Sequence, residues 1–226
     1  MYEEKMKIKG VIFDMDGVIL DSEKYYVRFW SEAGKACGYP FEEKHALAIR
    51  SMARPYAIER LKGFFGESFD YDMVRNKRIE LMDAYVNENG IDSKPYARDI
   101  LSYLKKNGYK IALATATVAE KAKSYLSRLD LLGYFDEVIS AHMVKRGKPA
   151  PDIYLFASEK LGLCPEECMA VEDSPNGARS AVDAGCVTIL VPDMDKPEGE
   201  ITQRVYKTAD SLKELSEILE AINRGE

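Results

Sequence analysis

Two carboxylates stand one residue apart at the end of an apolar segment near the start of the chain. Val11, Ile12 and Phe13 are typical of a buried strand, and Asp14 and Asp16 follow directly. Two like charges at the end of a buried strand repel each other and lose hydration, so the pair is costly unless a cation or a reaction uses it. This pair is therefore the first candidate for a catalytic or metal-binding site.

Other polar residues also follow segments with a strand pattern. Thr115 ends the strand-like segment YKIALAT, Glu172 and Asp173 end the segment CMAVED, and Lys148 lies in the loop-like segment GKPAPD. In open parallel sheets, ligands bind beyond the carboxyl ends of the strands. We therefore expect these residues to lie near the two N-terminal aspartates.

The residue types of this set suit phosphoryl transfer. Carboxylates from two strands can hold one hard cation such as Mg²⁺. The Thr115 hydroxyl can donate to a phosphate oxygen, and the Lys148 ammonium supplies a positive charge. Phosphoryl transfer depends mainly on positioning and charge neutralisation. The set therefore predicts a magnesium-dependent phosphoryl-transfer site.

The pattern of apolar residues predicts how the chain positions this site. From about residue 92 onward, strand-like and helix-like segments alternate, which predicts an α/β fold with a doubly wound parallel sheet. Between Leu20 and Ile91 there are several amphipathic helix patterns and no convincing strand. We therefore predict a core domain of residues 1–20 and 92–226, and an inserted all-helical cap domain of residues 21–91.

Composition argues against several classes of partner. Lys and Arg number 32 and Asp and Glu 38, so the net charge is −6, and no basic block is present. Nucleic acid and anionic membranes are therefore poor candidate partners. No apolar run spans a bilayer and the N-terminus lacks a signal-peptide pattern, so we expect a cytoplasmic protein. The cysteine and histidine spacing does not favour zinc or disulfides.

Four segments in order, DMDGV, ALAT, GKPAPD and VEDSPNG, resemble the four motifs of the haloacid dehalogenase (HAD) superfamily of phosphotransferases. The helical insertion after the first motif resembles the β-phosphoglucomutase-like branch of that superfamily, whose cap is inserted at this point. The resemblance covers nearly the whole chain. It implies a HAD-like hydrolase with a Rossmann-type core and a helical cap.

The resemblance also implies a role for each motif residue. Asp14 would be the nucleophile that forms an aspartyl-phosphate, and Asp16 would transfer protons to the leaving oxygen and from the incoming water. Mg²⁺ would be held by the Asp14 carboxylate, the Asp16 carbonyl and Asp173, with Glu172 helping directly or through water. The remaining motif residues would bind the phosphoryl group: Thr115, the backbone amide of Ala116, and Lys148.

Departures from the mutase pattern favour a phosphatase acting on a small phosphorylated metabolite, with a sugar phosphate as the expected substrate. Tyr26 stands where the sugar mutases carry a histidine, and Val118 where they carry a lysine. Arg54 matches roughly an arginine that binds a second phosphate in the mutase cap, so it is a candidate phosphate ligand. A β-phosphoglucomutase is the alternative within the family.

A phosphoacceptor signalling domain is the alternative outside enzymes. Such domains also combine an acceptor aspartate with Thr or Ser and Lys, but they lack a helical insertion and place the aspartate after a later strand. The resemblance further implies a monomer. We also expect cap and core to rock against each other about hinges near residues 20–22 and 91–94.

For the aromatic residues of the first predicted cap helix, packing inside the cap is favoured over substrate contact. They are Tyr25, Tyr26, Phe29 and Trp30. His142 is interpreted as a surface or packing residue rather than a catalyst.

Overall fold

The strands in the described part of the chain form one parallel sheet. The computed structural model describes residues 7–50, 52–194 and 199–225. The strands in these residues are β1 (Gly10–Phe13), β2 (Lys110–Thr115), β3 (Glu137–Ser140), β4 (Cys168–Glu172), β5 (Val187–Leu190) and β6 (Lys207–Thr208). Their order in the sheet is β3-β2-β1-β4-β5-β6, and every neighbouring pair is parallel.

Helices follow most of the strands, as the alternating pattern predicts. They are α1 (Glu23–Ala36), α2 (Glu43–Leu47), α3 (Arg54–Phe65), α4 (Tyr71–Asn89), α5 (Ala97–Lys106), α6 (Ala119–Arg128), α7 (Asp152–Leu161), α8 (Pro175–Asp183), α9 (Ile201–Arg204) and α10 (Leu215–Arg224). The predicted doubly wound α/β fold is confirmed.

Alternate residues of the central strand β1 pack into different layers. Val11 and Phe13 belong to an apolar cluster that includes side chains of α5, α6 and α10. Ile12 points to the opposite face, where its cluster includes Ile153 and Tyr154 of α7. Because alternate side chains point to opposite faces and both faces are covered, the whole of β1 is buried. Its carboxyl end lies between the carboxyl ends of β2 and β4.

Helices α1 to α4 lie between β1 and β2 in the chain. They share an apolar cluster centred on large side chains such as Trp30, Phe41 and Leu61. Phe29 of α1 and Met82 of α4 instead join the larger cluster of the core. The helical insertion therefore has its own apolar centre but is packed against the sheet domain, and the exact boundaries at residues 20 and 92 stay a prediction.

The two chain segments that connect this insertion to the sheet are paired. The amide of Asp21 donates to the carbonyl of Asp92 at 2.9 Å, and the amide of Lys94 donates to the carbonyl of Ile19 at 2.9 Å. The segments predicted as hinges thus lie side by side.

The start of α8 has a clear local sequence signal. Ser174 is the N-cap of α8, where its hydroxyl accepts a hydrogen bond from the amide of Gly177 at 3.2 Å, and Pro175 is the first helical residue. Helix α2 is the shortest helix of the insertion and covers only Glu43–Leu47. Within the described residues, no helix is long and apolar enough to cross a membrane.

Candidate active site

The predicted residues meet at the edge of the sheet that the carboxyl ends of the strands form. Asp14 directly follows β1, while Thr115 and Glu172 end the neighbouring strands β2 and β4. Lys148 enters from the loop between β3 and α7. Its ammonium donates to Asp14 Oδ1 at 2.6 Å and to the carbonyl of Ala114 at 2.9 Å, and it lies 2.6 Å from Glu172 Oε1. The structure therefore brings residues from four separate segments to one point.

Three buried carboxylates form the negative side of this site. One oxygen from each of Asp14, Glu172 and Asp173 lies within 4.8 Å of the others. Glu172 Oε2 and both carboxylate oxygens of Asp173 are buried and have no hydrogen-bond partner among the described residues. Buried carboxylate oxygens without donors are costly. A hard cation with oxygen ligands, such as Mg²⁺, would satisfy them, so the donor set fits this metal.

Two glycines allow the backbone to approach these carboxylates. A Cβ on Gly177 would lie 2.0 Å from Glu172 Oε2, and a Cβ on Gly17 would lie 2.3 Å from Asp173 Oδ2. Gly17 also has a φ of +82°, which favours glycine. These glycines of the DMDGV and VEDSPNG segments are therefore part of the site.

The second aspartate is held by two hydroxyl groups. Ser22 Oγ donates to Asp16 Oδ1 at 2.6 Å, and Thr117 Oγ1 donates to Asp16 Oδ2 at 3.1 Å. Burial, with the charge of Asp14 as a smaller contribution, raises the pKa of Asp16 to about 6, although the two hydroxyls oppose the shift. A carboxyl group with such a pKa can both give and take a proton near neutral pH.

Burial affects the other charged groups of the site as well. It raises the pKa of Glu172 to about 7, although Lys148 acts in the opposite direction. Burial alone would lower the pKa of Lys148, but the charges of Asp14 and Glu172 outweigh it and raise that pKa. Lys148 is therefore a permanent cation between two acids.

The residues predicted to grip the phosphoryl group line the same edge. Thr115 is fully buried, and its hydroxyl accepts a hydrogen bond from the amide of Thr117 at 3.0 Å. Ala116 lies at the wall of the adjoining cavity. Thr117 was not predicted from the sequence, although it stands only two residues after Thr115.

A cavity of 810 Å³ lies between this edge and helices α1 to α4. Tyr26 and Trp30 line it, and the Tyr26 hydroxyl lies 3.3 Å from Thr117 Oγ1. Tyr25 and Phe29 instead contact Tyr85 of α4, as the packing interpretation expects. For Tyr26 and Trp30 that interpretation is incomplete, because both also face the cavity.

His142 also lines the cavity, from the loop after β3, and its side chain is exposed. The described contacts give it no hydrogen bond to Asp14 or Asp16, which agrees with its interpretation as a surface residue.

The insertion contributes arginines to the cavity. Arg54 lines it, but its side chain is exposed and forms an ion pair with Asp72. Arg50 is buried, with Nε 3.7 Å from Asp173 Oδ2 and Nη2 donating to the Asp173 carbonyl at 3.1 Å. The role of Arg54 in phosphate binding stays a prediction, while the contact of Arg50 had no signal in the sequence.

Glu23, at the start of α1, is a further unpredicted acid at this cavity. It is 4% exposed, and burial together with the charge of Asp173 raises its pKa well above the usual range. Glu23 directly follows Ser22 in the chain. The DMDGV segment supplies Asp14 and Asp16, and the first turn of α1 adds Glu23, so three acids lie in one region.

Comparison with known proteins identifies the family. Residues 8–185 match the model of the haloacid dehalogenase-like hydrolases. The chain is 31% identical over 217 residues to the phosphorylated carbohydrates phosphatase of Thermotoga maritima, covering 95% of this chain and 91% of the relative. It is 35% identical over 189 residues to hexitol phosphatase A of Escherichia coli, covering 82% and 84%. The chain belongs to the haloacid dehalogenase-like hydrolase family.

Solved structures agree with this assignment. A β-phosphoglucomutase from Clostridium difficile superimposes with a TM-score of 0.80 at 25% identity, covering 96% of this chain and 98% of that one. CbbY from Rhodobacter sphaeroides in complex with phosphate superimposes with a TM-score of 0.74 at 27% identity, covering 92% and 96%. The resemblance drawn from the four motifs, including its β-phosphoglucomutase-like branch, is confirmed.

Proposed function

We propose that this hydrolase is a magnesium-dependent phosphatase that releases phosphate from a small phosphorylated metabolite, with sugar phosphates as the main substrate class. The observation that carries the proposal is the position of Lys148 between Asp14 and Glu172, at 2.6 Å from each. This arrangement keeps the Asp14 carboxylate next to a fixed positive charge at the mouth of a cavity. The relatives that act on phosphorylated carbohydrates and hexitols support the substrate class.

The nucleophile of the reaction would be Asp14. One of its carboxylate oxygens attacks phosphorus, the bond from phosphorus to the leaving oxygen breaks, and Asp16 gives its proton to that oxygen. In the second step Asp16 takes a proton from water and the water oxygen attacks phosphorus. The bond between phosphorus and the Asp14 oxygen breaks, which restores the Asp14 carboxylate and frees phosphate. Lys148 offsets negative charge in both steps.

Magnesium would be held by the carboxylates of Asp14 and Asp173 and by the backbone carbonyl of Asp16, with Glu172 helping directly or through water. When bound, it supplies positive charge that relieves the repulsion of the acids and binds phosphoryl oxygens. Thr115 and the amide of Ala116 would position the phosphoryl group from the other side of Asp14.

The wall of the cavity favours a phosphatase over a mutase. Val118 is 41% exposed at this wall, so the position where mutases carry a lysine offers no positive charge or hydrogen-bond donor. Tyr26, in place of the mutase histidine, is engaged with Thr117. β-Phosphoglucomutase relatives nevertheless keep the mutase as the second candidate.

A panel of phosphomonoesters assayed for phosphate release with MgCl₂ tests the proposal. We expect turnover of sugar phosphates by the wild type and none by Asp14→Asn. If no phosphomonoester is hydrolysed, the phosphatase proposal is wrong. Incubation with β-glucose 1-phosphate and a bisphosphate primer separates the two candidates, because only a mutase forms glucose 6-phosphate. A signalling domain would instead stay phosphorylated without turnover.

A monomeric state and a cytoplasmic location remain predictions, as does the rocking of cap against core.

A further inference from the structure

A tyrosine of helix α7 contacts the candidate active site from inside the core. The hydroxyl of Tyr154 donates to Glu172 Oε1 at 2.5 Å. The residue is fully buried, and its ring belongs to the apolar cluster that contains Ile12 of β1 and Ala170 of β4. Tyr154 does not line the cavity, so it influences the site only through the residues that it contacts.

The two carboxylate oxygens of Glu172 have different surroundings. Oε1 accepts the hydrogen bond of Tyr154 and lies 2.6 Å from the Lys148 ammonium. Oε2 is buried and has no hydrogen-bond partner among the described residues. Rotation of the carboxylate would exchange the two oxygens and break both contacts of Oε1. These contacts therefore determine which oxygen of Glu172 stays available to a metal ion or to a metal-bound water.

Lys148 alone does not fix this orientation. Its ammonium is shared with Asp14 Oδ1 at 2.6 Å and with the carbonyl of Ala114 at 2.9 Å. A lysine ammonium is a point charge on a flexible stem, and the last torsion of a glutamate side chain has broad preferences. The phenol of Tyr154 is instead held by the packing of its ring, with the Lys148 ammonium 5.2 Å from the ring centroid. Tyr154 thus supplies the directional contact.

The acceptor that Tyr154 uses separates it from an ordinary core tyrosine. A buried tyrosine hydroxyl needs a hydrogen-bond partner, and a backbone carbonyl would be sufficient. Tyr154 bonds instead to one of the three acids that could hold a metal ion, Asp14, Glu172 and Asp173. Loss of a hydrogen bond that orients a metal-binding group typically weakens metal affinity by about 10- to 100-fold.

We propose that Tyr154 is a positioning residue for the metal site: its hydroxyl holds the Glu172 carboxylate in the orientation that binds Mg²⁺ directly or through water, and it thereby sets the affinity for this ion. The inference rests on the proposed magnesium-dependent function. It adds to the site a residue that contacts neither the cavity nor the phosphoryl group.

Calorimetric titration with MgCl₂ in the absence of substrate tests the inference. Tyr154→Phe keeps the ring and removes only the hydroxyl, so we expect the Kd for Mg²⁺ to rise by about 10-fold relative to the wild type. Thermal unfolding in EDTA is measured alongside. A contact that serves only the packing of the core would lower the Tm in EDTA and leave the Kd for Mg²⁺ unchanged.

Tyr103→Phe is the matched control. The hydroxyl of Tyr103 on α5 donates to the Glu220 carboxylate at 2.6 Å, and neither residue lines the cavity. This variant therefore loses the same kind of hydrogen bond away from the site, and its Kd for Mg²⁺ should equal that of the wild type.

A second comparison tests whether the effect passes through Glu172. In Glu172→Gln the carboxylate that Tyr154 orients is gone, so adding Tyr154→Phe should change the Kd for Mg²⁺ much less than it does in the wild type. A further rise of about 10-fold in that background overturns the assignment to Glu172.

Turnover provides an independent readout. With a sugar phosphate as substrate, Tyr154→Phe should need about 10-fold more MgCl₂ than the wild type for half-maximal activity. At saturating MgCl₂ its KM for the sugar phosphate should change by less than about 3-fold, because Tyr154 does not contact the cavity.

Should Tyr154→Phe fail to fold, nuclear magnetic resonance of protein with ¹³C at the tyrosine Cζ replaces it. Tyr26 is near Asp16 through Thr117, so the measurement uses Tyr26→Phe. Addition of MgCl₂ should shift the resonance of a buried tyrosine, and unchanged Cζ resonances overturn the inference.

An unchanged Kd for Mg²⁺ in folded Tyr154→Phe overturns the inference and leaves the phosphatase function intact. A wild type that binds no Mg²⁺ overturns both proposals. A wild type that binds Mg²⁺ with the expected dependence on Tyr154, but hydrolyses no phosphomonoester, overturns only the phosphatase function.

Discussion

Replacing Gly177 by alanine should disturb the acids of the proposed active site without removing any of them. The added Cβ would lie 2.0 Å from Glu172 Oε2 and 2.2 Å from its Cδ. Because non-bonded carbon and oxygen atoms need more than 3 Å, the carboxylate must move by about 1 Å or more. Glu172 is fully buried and holds contacts with Lys148 and Tyr154, so this movement must disturb both contacts.

The size of the effect follows from these contacts. Moving Glu172 away lengthens its 2.6 Å contact with Lys148, so a buried cation and a buried carboxylate both lose part of their compensation. Breaking such a pair destabilises proteins by about 3 to 5 kcal/mol, so we expect Gly177→Ala to lower the free energy of unfolding by about 3 kcal/mol. Misplacing charge next to Asp14 should also lower kcat by about 100-fold.

Urea unfolding followed by circular dichroism gives the first quantity, and phosphate release from the best sugar phosphate gives the second. Gly63→Ala is the control, because a Cβ there meets nothing within 4 Å and the residue lies inside α3. The free energy of unfolding of that variant should rise by about 0.5 to 1 kcal/mol, and the variant should keep full activity. If the free energy of unfolding of Gly177→Ala stays within about 0.5 kcal/mol of the wild-type value and the variant remains active, Glu172 is not fixed by Lys148 and Tyr154.

Three further predictions concern the hydroxyl support of Asp16, the thiols and the metal. Thr117→Val removes the hydroxyl that donates to Asp16 Oδ2, so kcat should fall about 10-fold with KM little changed, and Thr117→Ser should restore most of it; an unchanged kcat in the valine variant would contradict this role. Cys164 is exposed, whereas burial raises the pKa of Cys168 to about 11 and of Cys186 to about 12, so peptide mapping after brief alkylation at neutral pH should find Cys164 modified and the two buried thiols protected until the protein unfolds. Saturating Mg²⁺ at about 100 times its Kd should stabilise the fold by about 2.7 kcal/mol in thermal unfolding, with reversal by a chelator, and the absence of any shift would argue against a metal at the acid cluster.

The candidate active site at the carboxyl ends of the strands could be predicted because it depends on local patterns. Asp14 and Glu172 follow apolar segments that are buried from end to end, and parallel strands bring their carboxyl ends to one edge whatever the details of packing. Lys148 could be added because its segment resembles a motif of the family, and the structure places it between the two acids.

The side of the cavity formed by the insertion could not be predicted in the same way. Whether the side chains of Tyr26 and Arg78 point into the cavity depends on how α1 and α4 pack against each other and against the core. The sequence pattern identifies both helices only as amphipathic. A buried arginine also looks like a surface charge in the sequence, since nothing local distinguishes Arg78 from Lys77, which pairs with Glu80 at the protein surface.

The outermost strand of the sheet shows a second limit of prediction from sequence. Strand β6 consists of Lys207–Thr208 only and pairs with Ile189 and Leu190. Two exposed polar residues contain no alternation of apolar and polar side chains, so their strand conformation depends on the neighbouring strand rather than on their own preference.

The most direct test of the account is to trap the phosphorylated enzyme. Wild type mixed with substrate and MgCl₂, quenched in acid within milliseconds and digested, should yield the peptide containing Asp14 with the mass of one added phosphoryl group, and Asp14→Asn should yield none. Rapid phosphate release with no such peptide at any time, or with the phosphoryl group on another residue, would contradict the assignment of Asp14 as the nucleophile.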